Sequence, residues 1–110
     1  MHGNETLGIE LVKLIRDRPV KNVDYALLNE RAVAADTRYI ERDLNRSFPG
    51  DKKSDDYETR RAAEVLAMCN GYDVVLDFHN TMCPDNDCSF VGDTCNKLLY
   101  NVASELGYRA

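Results

Sequence analysis

Histidine occurs only twice in these 110 residues, at His2 and His79, so any imidazole chemistry must rest on that pair. No apolar run approaches the roughly 20 residues a helix needs to cross a bilayer, which excludes a helical membrane span. A basic, then apolar, then small-residue leader is missing, so secretion is not indicated. The four cysteines form no C-x-x-C pair, which argues against a thiolate metal site. In a leaderless chain they read as reduced thiols, and the expected compartment is the cytoplasm. Cys69 falls on an apolar helical face and is expected in the core; Cys83, Cys88 and Cys95 crowd one short region. Positive charge is in the minority, with 14 Lys and Arg against 19 Asp and Glu and a net charge of −5. That balance argues against nucleic acid, and against an anionic membrane surface, as the main partner.

What is present is an ordinary globular composition, 44% apolar and 30% charged, in a length that suits one domain at most. Leu7, Leu11, Leu14 and Ile15 recur at helical spacing and predict a helix from residue 5 to about 18, stopped by Pro19. Residues 23–28 read as a strand. A polar, charge-rich segment follows from residue 29 to about 56, with two short apolar patches and a turn at Pro49 and Gly50. A loop that long inside a compact domain is functional or disordered. Asp55 and Glu58 form a capping box for a helix with Ala62, Val65, Leu66 and Cys69 on one face, ended by Asn70 and Gly71. Residues 74–78 are nearly continuous in apolar side chains, as in a strand buried on both faces. Residues 89–91 read as a short strand, and 93–106 as a last helix closed by Gly107. Helices alternate with strands, so the predicted class is α/β.

The two histidines fit a metal pattern. Zinc accepts imidazole nitrogen and carboxylate oxygen at about 2.0–2.2 Å, and a hydrolytic site keeps one position open beside three protein ligands. His2 and Glu5 are three residues apart at a helix start, so both can face one point. His79 ends the apolar run, at the carboxyl end of a predicted strand, where ligands gather in open α/β sheets. Asp77 leaves the same strand face and can accept a hydrogen bond from a ligand imidazole. H-x-x-E alone is a short and common pattern, and a histidine ending a strand is more often hydrogen-bonded than metal-bound.

A second signal is the stretch 38–46, RYIERDLNR, with three arginines and one asparagine in nine residues of an acidic chain. The guanidinium fork matches a carboxylate bidentately, and Asn45 beside Arg46 adds a neutral donor. A further arginine can stabilise negative charge developing on an attacked carbonyl. The plain alternative is a solvated loop whose arginines pair with Glu41, Asp43 and Asp51.

Three segments together, HGNETLGIELV at 2–12, TRYIERDLNRSFPG at 37–50 and YDVVLDFHNT at 72–81, resemble the succinylglutamate desuccinylase and aspartoacylase family, itself related to zinc carboxypeptidases. The resemblance implies a zinc carboxypeptidase-like fold, a mostly parallel sheet flanked by helices, here incomplete. It implies that His2, Glu5 and His79 hold one zinc ion, that Arg38 helps polarise the scissile carbonyl, and that Asn45 and Arg46 grip a substrate carboxylate. Family members hydrolyse the amide bond of an N-acyl amino acid, a small-molecule substrate. They are also much longer, and their proton-moving glutamate comes from a region beyond residue 110. Residues 1–110 therefore read as the N-terminal portion of such a catalytic domain. The family's strand running into HGNE is missing as well, so residues 74–78 are expected to lack a neighbour and to promote self-association. Two other readings share these residues: a carboxypeptidase-like zinc peptidase, and a non-catalytic domain that binds metal or a carboxylate.

Overall fold

The computed structural model describes residues 1–80 and 96–106. The chain divides into two compact units, residues 1–80 and 81–110. The first unit contains α1 (Thr6–Asp17), α2 (Glu30–Ala34), a 3-10 turn (Leu44–Arg46) and α3 (Tyr57–Cys69). The predicted first helix is thus present, and the Arg18 amide closes it on Leu14 O at 2.9 Å just before Pro19. None of its residues is fully buried, and Leu7 and Leu14 stand about half exposed.

The segment expected to be a long loop holds two short helical elements. Asn29 caps α2 by accepting from the Ala32 amide at 3.3 Å, and Ala32 itself is fully buried. Asp43 caps the 3-10 turn in the same way, accepting from the Asn45 amide at 2.9 Å. Leu44 points inward and is fully buried, which turns Asn45 and Arg46 outward to solvent. The 3-10 turn packs against α3, which anchors the stretch between the two.

The cap of α3 is one residue later than predicted. Asp56, not Asp55, accepts from the Thr59 amide, at 2.7 Å. Glu58 takes no part in a capping box, because its side chain is turned inward and fully buried. Ala62 and Val65 are buried as the helical spacing requires, whereas Leu66 is about half exposed and Cys69 is only partly covered. Gly50 adopts φ +82°, and a Cβ there would overlap the Ala63 amide and stand 2.6 Å from Thr59 O. Only glycine lets the loop lie this close to α3, where the Asp51 amide then donates to Thr59 O at 3.1 Å.

The predicted sheet is not formed among the described residues. Residues 23–27 and 74–80 run without helical or ladder pairing. Val23, Tyr25, Val75 and Leu76 all stand about half exposed. An apolar β-prone run supplies only half of a strand; the ladder needs a neighbour whose amides and carbonyls answer its own, and no such neighbour lies among the described residues.

In the second unit α4 (Lys97–Glu105) begins later than predicted, because Asn96 caps it by accepting from Leu98 N at 3.0 Å and Leu99 N at 3.3 Å. The short strand expected at 89–91, Gly107, and Cys83, Cys88 and Cys95 lie outside the described residues. Among the described residues no helix is long and apolar enough to cross a membrane.

Candidate metal centre

The site is built on the tight turn before α1. The Glu5 amide donates back to His2 O at 3.3 Å, and the Gly3 amide donates to Arg38 O at 3.3 Å. Gly3 is buried directly on the backbone of α2: a Cβ would overlap the carbonyl of Ala32 and the amide of Val33. The glycine of HGNE thus lets the turn seat His2 and Glu5 between α2 and the arginine loop.

Glu5 holds the N-cap position of α1 yet makes no side-chain cap to it. Its carboxylate serves His2 instead. Oε2 accepts from the His2 amide at 3.1 Å, and Oε1 lies 2.7 Å from His2 Nδ1. A glutamate at a position that favours Ser, Thr, Asp or Asn is a local misfit, of the kind expected at functional sites. The segment around His79 is fastened to the same helix start. Leu7 N, one of the amides α1 leaves without a helical partner, donates to Asn80 Oδ1 at 3.3 Å, and the Met1 ammonium donates to Phe78 O at 3.4 Å. This fastening puts His79 Nδ1 at 3.3 Å from Glu5 Oε2.

One donor atom from each of His2, Glu5 and His79 therefore lies within 4.8 Å of the others. Bonds of about 2.1 Å in tetrahedral geometry hold ligand atoms about 3.4 Å apart. The His79–Glu5 separation already matches that spacing, while His2 and Glu5 sit closer, at direct hydrogen-bond distance. The donor set, two imidazole nitrogens and one carboxylate, suits a divalent cation of borderline softness. His2 and Glu5 are 5% and 7% exposed, and the His79 side chain is 30% exposed, so the cluster is closed on one side and open on the other. Burial alone would raise the Glu5 carboxyl, but hydrogen bonds from His2 and the nearby ammonium outweigh it and bring its pKa down to about 2. Glu5 is therefore an anion, ready as a ligand, throughout the physiological range.

Each imidazole is held from behind by a second carboxylate. His79 Nε2 lies 2.6 Å from Asp77 Oδ2, although the strand expected to align them is not formed. His2 Nε2 lies 2.9 Å from Asp43 Oδ1, a contact the sequence did not announce. The other oxygen of Asp43 accepts from Arg38 Nη2 at 3.1 Å. Burial raises the Asp43 carboxyl, and the hydrogen bonds from His2 and Arg38 more than reverse this, leaving it below the ordinary range.

The arginines of the loop separate into two kinds. Arg38 pairs with Asp43, and Arg42 stands 3.6 Å from Asp56. Among the described residues the expected partners Glu41 and Asp51 pair with none of these arginines. The Glu41 carboxylate accepts from the Tyr57 amide, and that of Asp51 from the Lys53 amide at 2.9 Å. Arg46 forms no ion pair among the described residues and is exposed beside Asn45. Glu58 is the residue the sequence concealed most completely. It accepts from Asn29 Nδ2 and from the successive amides of Ile40, Glu41 and Arg42, at 2.7–3.2 Å. Burial raises its carboxyl, and these four donors more than offset that, holding it below the usual value. In sequence it reads as the partner of Asp55 in a capping box; the cap is Asp56, and Glu58 turns inward instead.

Comparison with known proteins points to one family. The succinylglutamate desuccinylase/aspartoacylase catalytic domain family matches residues 1–106. The chain is 35% identical over 105 residues to an N-acyl-aromatic-L-amino acid amidohydrolase (carboxylate-forming) of Rattus norvegicus, with 79% of this chain and 33% of the relative covered. It is 36% identical over 98 residues to an aspartoacylase of Danio rerio, covering 73% and 31%. An aspartoacylase of Mus musculus is 38% identical over 98 residues, again covering 73% and 31%. The chain thus spans about a third of the length of the curated relatives it matches. No solved structure matches. With nearly all of its residues inside the family's pattern, and with H-x-x-E, the arginine loop and His79 gathered at one place, the chain belongs to the succinylglutamate desuccinylase/aspartoacylase catalytic domain family, an enzyme family.

Proposed function

We propose that this chain carries the zinc-holding portion of a hydrolase that cleaves the amide bond of an N-acyl amino acid. The observation that carries the reading is the convergence of His2 Nδ1, His79 Nδ1 and the Glu5 carboxylate, with an acceptor carboxylate behind each imidazole. One zinc ion held there supplies an acidified water and a polarised carbonyl. The chain's own residues do the rest. Asp43 and Asp77 would accept hydrogen bonds from the Nε2–H groups of the two imidazoles, which leaves both Nδ1 lone pairs for the metal. Arg38, one hydrogen bond from Asp43, stands beside the ligands, where it can meet negative charge on the attacked carbonyl. Arg46 and Asn45 present a fork and an amide to a substrate carboxylate.

A proton carrier for the leaving amine is not evident among the described glutamates. Glu41 and Glu58 are committed to backbone amides, and Glu64 to Arg61 at 2.8 Å. This supports a fragment of a zinc carboxypeptidase-like domain, with the parallel sheet and the proton-moving glutamate supplied by residues outside this chain. The half-exposed Val75 and Leu76 support self-association of the segment by itself. The acylase names of the relatives favour N-acyl amino acids over dipeptides, and comparing turnover of the two substrate classes separates hydrolase from peptidase.

Elemental analysis of the purified chain is expected to find about one zinc per chain, as a three-ligand site requires. Protein that holds none, even after incubation with zinc, sinks the proposal. In a form of the protein that shows turnover, Arg46→Ala should raise KM about ten- to hundredfold with a smaller change in kcat, the size of a charge-assisted hydrogen bond. An unchanged KM would remove Arg46 from the substrate.

A further inference from the structure

We propose that Glu58 is a positioning residue for the substrate-facing loop: its buried carboxylate sets where Arg38 stands relative to Asn45 and Arg46. The inference rests on the reading above, in which those three side chains meet the substrate.

The argument starts from cost. A fully buried carboxylate is expensive unless its lone pairs are filled, and no cation reaches Glu58 among the described residues. It is held by dipoles alone. Oε1 accepts from Asn29 Nδ2 at 3.1 Å and from Ile40 N at 2.7 Å; Oε2 accepts from Glu41 N at 3.1 Å and from Arg42 N at 3.2 Å. Three consecutive amides aimed at one anion define a concave backbone conformation that a chain does not keep without the anion. An apolar side chain on α3 would fill the same volume more cheaply, so simple packing does not account for a charge here. What the charge secures is a shape. Residues 40–42 lie between Arg38 and the 3-10 turn that carries Asn45 and Arg46, and Glu58 ties that span to α3. None of its partners is His2, Glu5 or His79, so it acts first on the loop and reaches the metal ligands only through Asp43, the residue after Arg42.

Glu58→Gln keeps the volume but turns an amide donor toward backbone donors, so one or more amides of 40–42 lose their acceptor. Three quantities test this: backbone amide exchange at 40–42, zinc affinity by chelator competition, and KM for N-acetyl-L-tyrosine or N-acetyl-L-aspartate in a form that shows turnover. Glu58→Gln is expected to speed exchange at 40–42 at least about tenfold and to raise KM, measured at saturating zinc, at least about tenfold, with a smaller loss of zinc affinity than Asp43→Ala produces. Val65→Ala, which opens a cavity on the same helix, serves as the control for simple destabilisation. It should lower the unfolding temperature while leaving KM within about twofold. A Glu58→Gln protein with wild-type KM and wild-type exchange overturns the proposal, as does a Val65→Ala protein whose KM rises equally. If the wild type shows no turnover, the hydrolase reading fails on its own. Glu58 is then decided by exchange: amides at 40–42 that are no better protected in the wild type than in Glu58→Gln overturn it, and protection lost only in the variant supports it.

Discussion

Gly3→Ala is expected to strip the chain of bound zinc and to lower its unfolding temperature by about 10 °C. The new methyl group would occupy space held by the Ala32 carbonyl and the Val33 amide, both backbone groups that cannot swing aside as a side-chain tip would. Overpacking of this kind costs about 1–3 kcal/mol, and each kcal/mol moves the midpoint of a domain this size by about 4–8 °C. The chain can relieve the overlap only by lifting the turn away from α2. That carries His2 and Glu5 off together, because the Gly3 amide is also the link to Arg38 O. A site must hold its ligands within about 0.5 Å of the productive geometry, so zinc binding fails along with packing. Gly8→Ala is the matched comparison. Its Cβ would stand 3.6 Å from Phe78 O, an ordinary contact, and alanine inside α1 is expected to stabilise by about 0.5–1 kcal/mol. Calorimetry with metal analysis on both variants checks the pair. Wild-type zinc content in Gly3→Ala would show that the turn is not what places the ligands.

Asp43→Ala is expected to weaken zinc binding about 10- to 100-fold, the usual cost of removing the acceptor behind a ligand imidazole. With Nδ1 committed to the metal, the imidazole proton must sit on Nε2, and Asp43 Oδ1 at 2.9 Å is where it points. Alanine leaves that proton without its partner and the ring free to rotate. The same change also frees Arg38, whose guanidinium now rests on Asp43 Oδ2 at 3.1 Å. Turnover should therefore fall further than metal loss alone explains, even at saturating zinc. Chelator competition gives the first effect, and kcat at high zinc gives the second. An affinity within about threefold of wild type would mean that the His2–Asp43 contact does not support the ligand.

Much of the site was legible because its signals are local. H-x-x-E at a helix start, a histidine at the end of an apolar run, and Asp77 two residues before it all depend on spacing along one element, and spacing is what a sequence records. The helix boundaries at Pro19 and at Asn70 with Gly71 follow for the same reason. Three features were not legible. Asp43 looked like one more counter-ion for the arginines, and its role toward His2 depends on an approach across 41 positions of chain. Glu58 looked like half of a capping box, because helical period says nothing about which way a buried carboxylate turns. Gly3 carries no signal of its own in the sequence, since the backbone it touches comes from α2. The sheet marks the opposite case. The apolar pattern at 74–78 records a tendency toward a strand, but ladder bonds form between segments, and among the described residues no partner answers it. The amino-acid sequence by itself named candidates to bind a metal and to grip a carboxylate, and marked where α1 and α3 stop, because those are properties of side-chain chemistry and short-range geometry. The tertiary structure alone decided which carboxylate stands behind His2 and how the arginine loop is held, because those depend on which distant segments meet.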